Sequence, residues 1–169
     1  MAESPTTEQI DEWKRCLLEL PDELFFSIMR THLGELKTPF HKPRLVDKIV
    51  HFFSKAETIQ RALALIDTHD ALIITAIEIL ERPTAQHIYR LLKDSYDYFS
   101  FHNHLMNLQE RLLIFSCPGN PELYINPFIR NETFTTVFSP DLLFSPASEI
   151  ETTSSRSVWA TEENAWSII

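Results

Sequence analysis

The stretch DTHDALIITAIEILERPTAQHIYRLLKDSYDYFSFHNHLMNLQERLLIFSCPGNPELYIN, residues 67–126, decides the fold. Asp67-Thr68 offers a helix cap, after which Leu72, Ile73, Ala76, Ile77 and Leu80 recur on one face. Arg82-Pro83-Thr84 breaks that helix, and Thr84 can cap a second one carrying Ile88, Leu91 and Leu92. The polar break Lys93-Asp94-Ser95 leads to a third, in which Tyr98, Phe101, Leu105, Leu108 and Leu112 repeat at steps of three and four. A β-rich run, Leu113 to Cys117, then turns through Pro118-Gly119-Asn120-Pro121 and returns as Glu122-Leu123-Tyr124-Ile125.

Three helices followed by a two-stranded hairpin is the order of a winged helix-turn-helix. That architecture presents its third helix and its hairpin to a partner, most often DNA. Upstream, Thr6-Thr7-Glu8-Gln9 fits a capping box, with Ile10, Trp13, Leu17 and Leu20 as the apolar face behind it. Pro21-Asp22-Glu23 suits the first turn of a second helix through Leu24, Phe25, Ile28, Met29 and Leu33, and Gly34 is placed to stop it. Residues 35–42 read as extended, because the residues before Pro39 and Pro43 are pushed out of helical geometry. Pro43 opens a third helix with Leu45, Val46, Ile49, Val50 and Phe53 inward. Ser54-Lys55-Ala56-Glu57 reads as another capping box, starting a helix that runs through Ile59, Leu63 and Ile66 into the winged unit.

The expected fold is therefore mainly α. A helical subdomain, residues 1–66, packs on a winged helix-turn-helix with a two-stranded β-wing, residues 67–129. Residues 130–157 lose periodicity and are rich in Ser, Thr and Pro, with Phe134, Phe138, Leu142, Leu143 and Phe144 scattered among them. Residues 130–169 read as a linker or a loosely held irregular tail whose aromatics could dock on the preceding domain, and the run from Trp159 as the start of a further helix in a longer protein.

A chain of 169 residues with 44% hydrophobic content and 12 Phe can build a real core. Its two glycines, Gly34 and Gly119, are too few for a glycine-rich phosphate loop or a dinucleotide fingerprint. No signal peptide and no bilayer-length apolar run is evident, and the expected location is cytoplasmic. Cys16 and Cys117 have no framework spacing and read as buried or half-exposed thiols. The seven His show no paired ligand spacing, and the acidic side chains fall on expected solvent faces. No cofactor, no metal and no catalytic constellation is expected, and the chain reads as non-enzymatic.

The net charge of −9 argues against a chain that seeks nucleic acid over its whole surface. Its distribution is uneven. Residues 25–61 carry seven positive and three negative side chains, an island of +4, while residues 1–24 sum to −5. The candidate phosphate contacts are Lys37, Lys42, Arg44 and Lys48 in that island. On the third helix of the winged unit, Ser100, Asn103, His104, Asn107 and Arg111 are the candidate groove contacts, with Asn able to bond an adenine edge. Arg111 is the one fixed positive charge there and Glu110 offsets it, so a protein-contact role for this helix stands beside the DNA role.

Two resemblances bear on these alternatives. Leu33-Gly34, an extended loop and Lys42-Pro43-Arg44-Leu45-Val46-Asp47-Lys48-Ile49 resemble the helix–extended loop–helix of SAP-type DNA-binding motifs over residues 22–53. Phe40-His41 replaces the small glycine usual there. The resemblance implies that the four basic residues straddle phosphates, aided by the amide-rich helix start. Over residues 14–130, the helical segment leading through Ala62 to Asp67 into the winged unit, closed by Leu123-Tyr124-Ile125-Asn126-Pro127, is similar to bacterial helicase-associated proteins. These share the N-terminal domain of the XPB-type repair and transcription helicases. It implies an accessory role in transcription or repair without a motor. The alternative partner is a protein, such as a helicase or polymerase subunit, gripped by the winged unit or the Phe-rich tail.

Overall fold

The computed structural model describes residues 5–36, 38–94 and 96–130. Lys37, Ser95 and residues 131–169 of the expected tail lie outside the described residues. The chain is mainly helical, with one small antiparallel sheet. Its elements are α1 (Thr7–Glu19), α2 (Asp22–Leu33), α3 (Lys42–Phe53), α4 (Ala56–Leu63), α5 (Thr68–Leu80), α6 (Ala85–Leu92), α7 (Tyr98–Glu110), β1 (Ile114–Phe115) and β2 (Tyr124–Ile125). The backbone turns helical again over residues 127–130.

Short-range chemistry sets most helix ends. Thr6 and Gln9 close the expected capping box on α1. Gly34, at φ 76°, stops α2 in a conformation that an L side chain adopts only at a cost. Asp67 caps α5 by accepting the Asp70 amide at 2.8 Å, and Thr84 caps α6 through His87. Asp97 caps α7, accepting the amides of Phe99 and Ser100 at 3.0 Å each. Ser54 departs from expectation. Its hydroxyl donates to the His51 carbonyl at 2.9 Å, and α4 starts with no side-chain cap. That helix also ends at Leu63, short of the expected run to Ile66.

The core is continuous from α1 to β2, crossing the expected boundary at residue 66. Trp13 is fully buried, meeting Phe53 of α3 edge-on at 5.7 Å and Phe128 at 5.8 Å. α5 is buried on nearly every side: Asp70, Ala71, Ile73, Ile74, Thr75, Ala76 and Ile77 are all inside. It is a central helix covered by α6, α7 and β2, not the amphipathic helix that a single stripe implies. Its last stripe residue, Leu80, is exposed, as are Leu91 on α6 and Tyr98 on α7. Leu112 lies just past α7, at φ 55°, and is buried.

The hairpin pairs Ile114 with Ile125 and Phe115 with Tyr124. A third segment joins it. Thr84, between α5 and α6, bridges to Glu122, and the Leu123 amide donates to the Pro83 carbonyl at 2.8 Å. Asn126 closes the base, fully buried, its side-chain amide donating to the Leu112 carbonyl at 2.8 Å and its Oδ1 accepting the Phe128 amide at 3.0 Å.

The cysteine expectation is overturned. Cys16 of α1 and Cys117 of the hairpin are disulfide-bonded, with Cα atoms 4.7 Å apart. They stand 101 residues apart in sequence, and only the packing of α1 against the hairpin brings them together. Among the described residues, no helix is long and apolar enough to cross a membrane.

Candidate functional site

The expected interface divides into two halves. The first is α3. Pro43 in its first turn supplies a preset φ without removing a needed donor. Leu45, Val46, Ile49 and Phe53 bury one face, which turns the opposite face to solvent. Arg44 and Lys48, one turn apart, are exposed there, and His51 and Lys55 extend the row. Neither Arg44 nor Lys48 makes an ion pair among the described residues. The carboxylate nearest in the row, Asp47, is taken by Lys14 of α1 at 3.0 Å. Lys42 faces elsewhere. Its Nζ pairs with Asp22 at 2.6 Å, donates to the Leu20 carbonyl at 3.1 Å and sits 5.0 Å from the centre of the Phe25 ring. Lys42 therefore fastens α3 to α2 and is withdrawn from the candidate phosphate contacts. Lys37 lies outside the described residues.

The second half is α7, and here the structure turns the expected arrangement inward. Arg111 caps the C-terminal end and donates to Asp70 Oδ2 at 2.7 Å, to Asn107 Oδ1 at 3.3 Å and to the Ala62 carbonyl at 3.3 Å. His104 Nδ1 lies 3.4 Å from Asp70 Oδ1. Ser100 donates to Asp97 at 2.6 Å. Asn103 and Asn107 remain exposed, alongside His102, Glu110 and the apolar side chains of Phe99 and Met106. Two of the expected contacts of this helix, Arg111 and His104, thus face one buried carboxylate. At the hairpin tip, Glu122 accepts from the Tyr124 hydroxyl at 2.7 Å and from Asn120 at 3.3 Å, while Arg82 lies 5.5 Å from the centre of the Tyr124 ring. Those donors hold the Glu122 carboxyl below its ordinary range, the tyrosine bond contributing most.

Asp70 is the residue that sequence reasoning missed. It was placed with the solvent-facing acids, yet it is 3% exposed. Asp67 beside it is held below the ordinary carboxylate range, chiefly by the Asp70 amide that it caps. Tyr96 is buried, and its hydroxyl meets His69 Nδ1 at 2.9 Å. Burial, with the charges of Asp67 and Asp70 adding to it, pushes the Tyr96 phenol well above its ordinary value. The signal in the sequence was the run Asp67-Thr68-His69-Asp70, where a second acid follows the cap by three residues, just before the apolar run Ala71 to Ile74.

Two further features lie apart from these halves. An apolar recess is lined by Trp13, Leu17, Leu24, Met106 and Phe115, with Cys16 at its edge. His32 of α2 contacts the Glu110 carbonyl of α7 at 3.1 Å, and burial lowers its basicity.

The model of the TP_0021_N family, described as an N-terminal domain, matches residues 1–54. That span takes in α1, α2 and α3, and so includes Arg44 and Lys48. No curated protein and no solved structure matches the chain.

Proposed function

We propose that the chain is a non-enzymatic nucleic-acid-associated module that holds phosphates on the outer face of α3. One observation carries this reading: Arg44 and Lys48 stand exposed one turn apart, while the acid between them, Asp47, is neutralised by Lys14. Such a row can follow a phosphate backbone whatever its sequence. A winged-helix character for residues 67–129 is part of the proposal. Its support is the order α5, α6, α7 and hairpin, with Thr84 adding a short third strand segment beside Glu122.

The test is fluorescence anisotropy of the purified chain with random duplex DNA across a salt series. Two phosphate contacts contribute about −1.8 to the log–log slope. Arg44→Glu with Lys48→Glu is expected to remove that slope and most of the affinity. Unchanged binding in this double variant would sink the proposal.

A second reading has its own observation. Arg111 and His104 face Asp70, and the outer face of the helix is left with Phe99, Met106 and the neutral Asn103 and Asn107. That composition suits a protein partner better than phosphate. Under this reading, Phe99→Ala with Met106→Ala abolishes partner capture, and the charge reversals on α3 leave it untouched.

A further inference from the structure

Asp67, Asp70 and His104 converge where the start of α5 meets the middle of α7. One ligand atom from each lies within 4.8 Å of the others. The roles of the individual oxygens matter. Asp67 Oδ1 accepts the Asp70 amide at 2.8 Å, and the His69 amide also bonds to this carboxylate. Arg111 occupies Asp70 Oδ2 at 2.7 Å, and Asp70 Oδ1 faces His104 Nδ1 at 3.4 Å.

That last contact is a weak hydrogen bond, longer than the usual limit near 3.2 Å. Its length is the spacing that two ligands adopt on a shared ion. Bonds of about 2.1 Å meeting at a tetrahedral angle place two ligand atoms about 3.4 Å apart, so this pair has ligand spacing, while the wider separations in the cluster, up to 4.8 Å, close only when the exposed Asp67 side chain swings inward. The surroundings fit as well. Arg111 holds the second oxygen of Asp70, the outer partner that an orienting carboxylate ligand requires. Two carboxylates against one guanidinium leave a local charge that a dication can compensate. The recess opens to solvent past Leu65, Asn103 and Asn107, which gives an ion and its waters a way in. The His69 ring lies 5.2 Å from that of His104.

We propose that Asp67, Asp70 and His104 form a binding site for one divalent transition-metal ion of the zinc class, with water completing its shell. A nitrogen and two carboxylate oxygens suit zinc and its neighbours. They are too few and too mixed for calcium, which takes six or more oxygens. The spacing of ligands along the chain hides the site, since His104 lies 34 residues from Asp70. Bound metal would pin α7 to the start of α5. The site stands independently of the phosphate grip on α3.

The experiment titrates the tag-free full chain, stripped by chelator and dialysed, with zinc chloride in a calorimeter. One ion per chain is expected. Asp67→Asn keeps a good helix cap while weakening the ligand, and His104→Gln keeps the fold's polarity. Each variant is expected to retain the wild-type far-UV spectrum and lose saturable zinc binding. No saturable heat with the wild-type chain would overturn the proposal, and so would binding that both variants retain. Magnesium is expected to give no saturable heat. Equal affinity for magnesium would overturn the zinc-class assignment.

Discussion

Replacing Asp70 by Ala tests the central electrostatic claim. The Asp70 side chain is 4% exposed and its Arg111 partner 24% exposed. Removing one member of a fully buried ion pair costs about 3–5 kcal/mol, mostly because the other charge is left buried and unpaired. Arg111 retains some solvent contact, the Ala62 carbonyl and the Asn107 side chain, which lowers the expectation to about 2–3 kcal/mol. The Asp67 cap survives, because it binds the backbone amide of residue 70 and not the side chain. For a domain of this size the loss corresponds to a fall in Tm of roughly 4–12 °C. Urea unfolding in the presence of a chelator reads the effect without any contribution from bound metal. Combining Asp70→Ala with Arg111→Ala is expected to show a coupling energy of about 1–2 kcal/mol. A single-variant loss under about 0.5 kcal/mol would refute the assignment of Asp70 as the tie between α5 and α7.

Two other perturbations follow from the same packing. Cys16→Ser with Cys117→Ser, or reduction of the wild type, opens a loop spanning 101 residues. The expected loss is about 2–4 kcal/mol, with a chain-entropy ceiling near 4.7 kcal/mol for such a loop; identical urea midpoints with and without reductant would refute it. Burial holds His32 below its ordinary value of 6.5, so the unfolded chain takes up a proton before the folded one does. The stability contributed by the neutral ring is complete above pH about 6.5 and is lost as pH falls from there through the folded pKa. His32→Gln is therefore expected to flatten stability between pH 7.5 and 5 relative to wild type, and parallel curves would count against this account.

The parts of the fold that were legible in the sequence are those decided by neighbours in the chain. Thr6 with Gln9, Asp67 and Thr84 each satisfy amides within three residues, and Gly34 stops a helix by its own backbone freedom. The hairpin turn was legible for the same reason. What remained hidden depends on residues distant in sequence. A stripe on α5 predicts one buried face, but Ile73 and Ile74 are adjacent and both buried, because neighbours cover the helix from several sides. Ser54 matches a capping pattern, yet its hydroxyl is satisfied one turn back. Arg111 and Asp70 are 41 residues apart, and no local pattern shows that one neutralises the other. Of the candidate contacts, Arg44, Lys48, Asn103 and Asn107 are exposed, and Lys42, His104 and Arg111 are drawn into pairs with Asp22 or Asp70.

The same pairings bear on the proposed phosphate grip of an acidic chain. A cation attracts phosphate in proportion to the charge left after its own partners are counted. Lys42 and Arg111 are each within 2.7 Å of a carboxylate and contribute little outward field. Arg44 and Lys48 have no such partner among the described residues, and the Lys14–Asp47 pair removes the nearest opposing charge. At physiological ionic strength the field of a distant carboxylate fades over about 8 Å, so the net charge of −9 matters less to a bound phosphate than the side chains within that radius. As salt is lowered that radius grows, and repulsion from the acidic remainder begins to reach the same site. The gain in affinity at low salt is then smaller than two cations alone would give. The reason to propose the grip on α3, and not on α7, is which cations the fold has already paired.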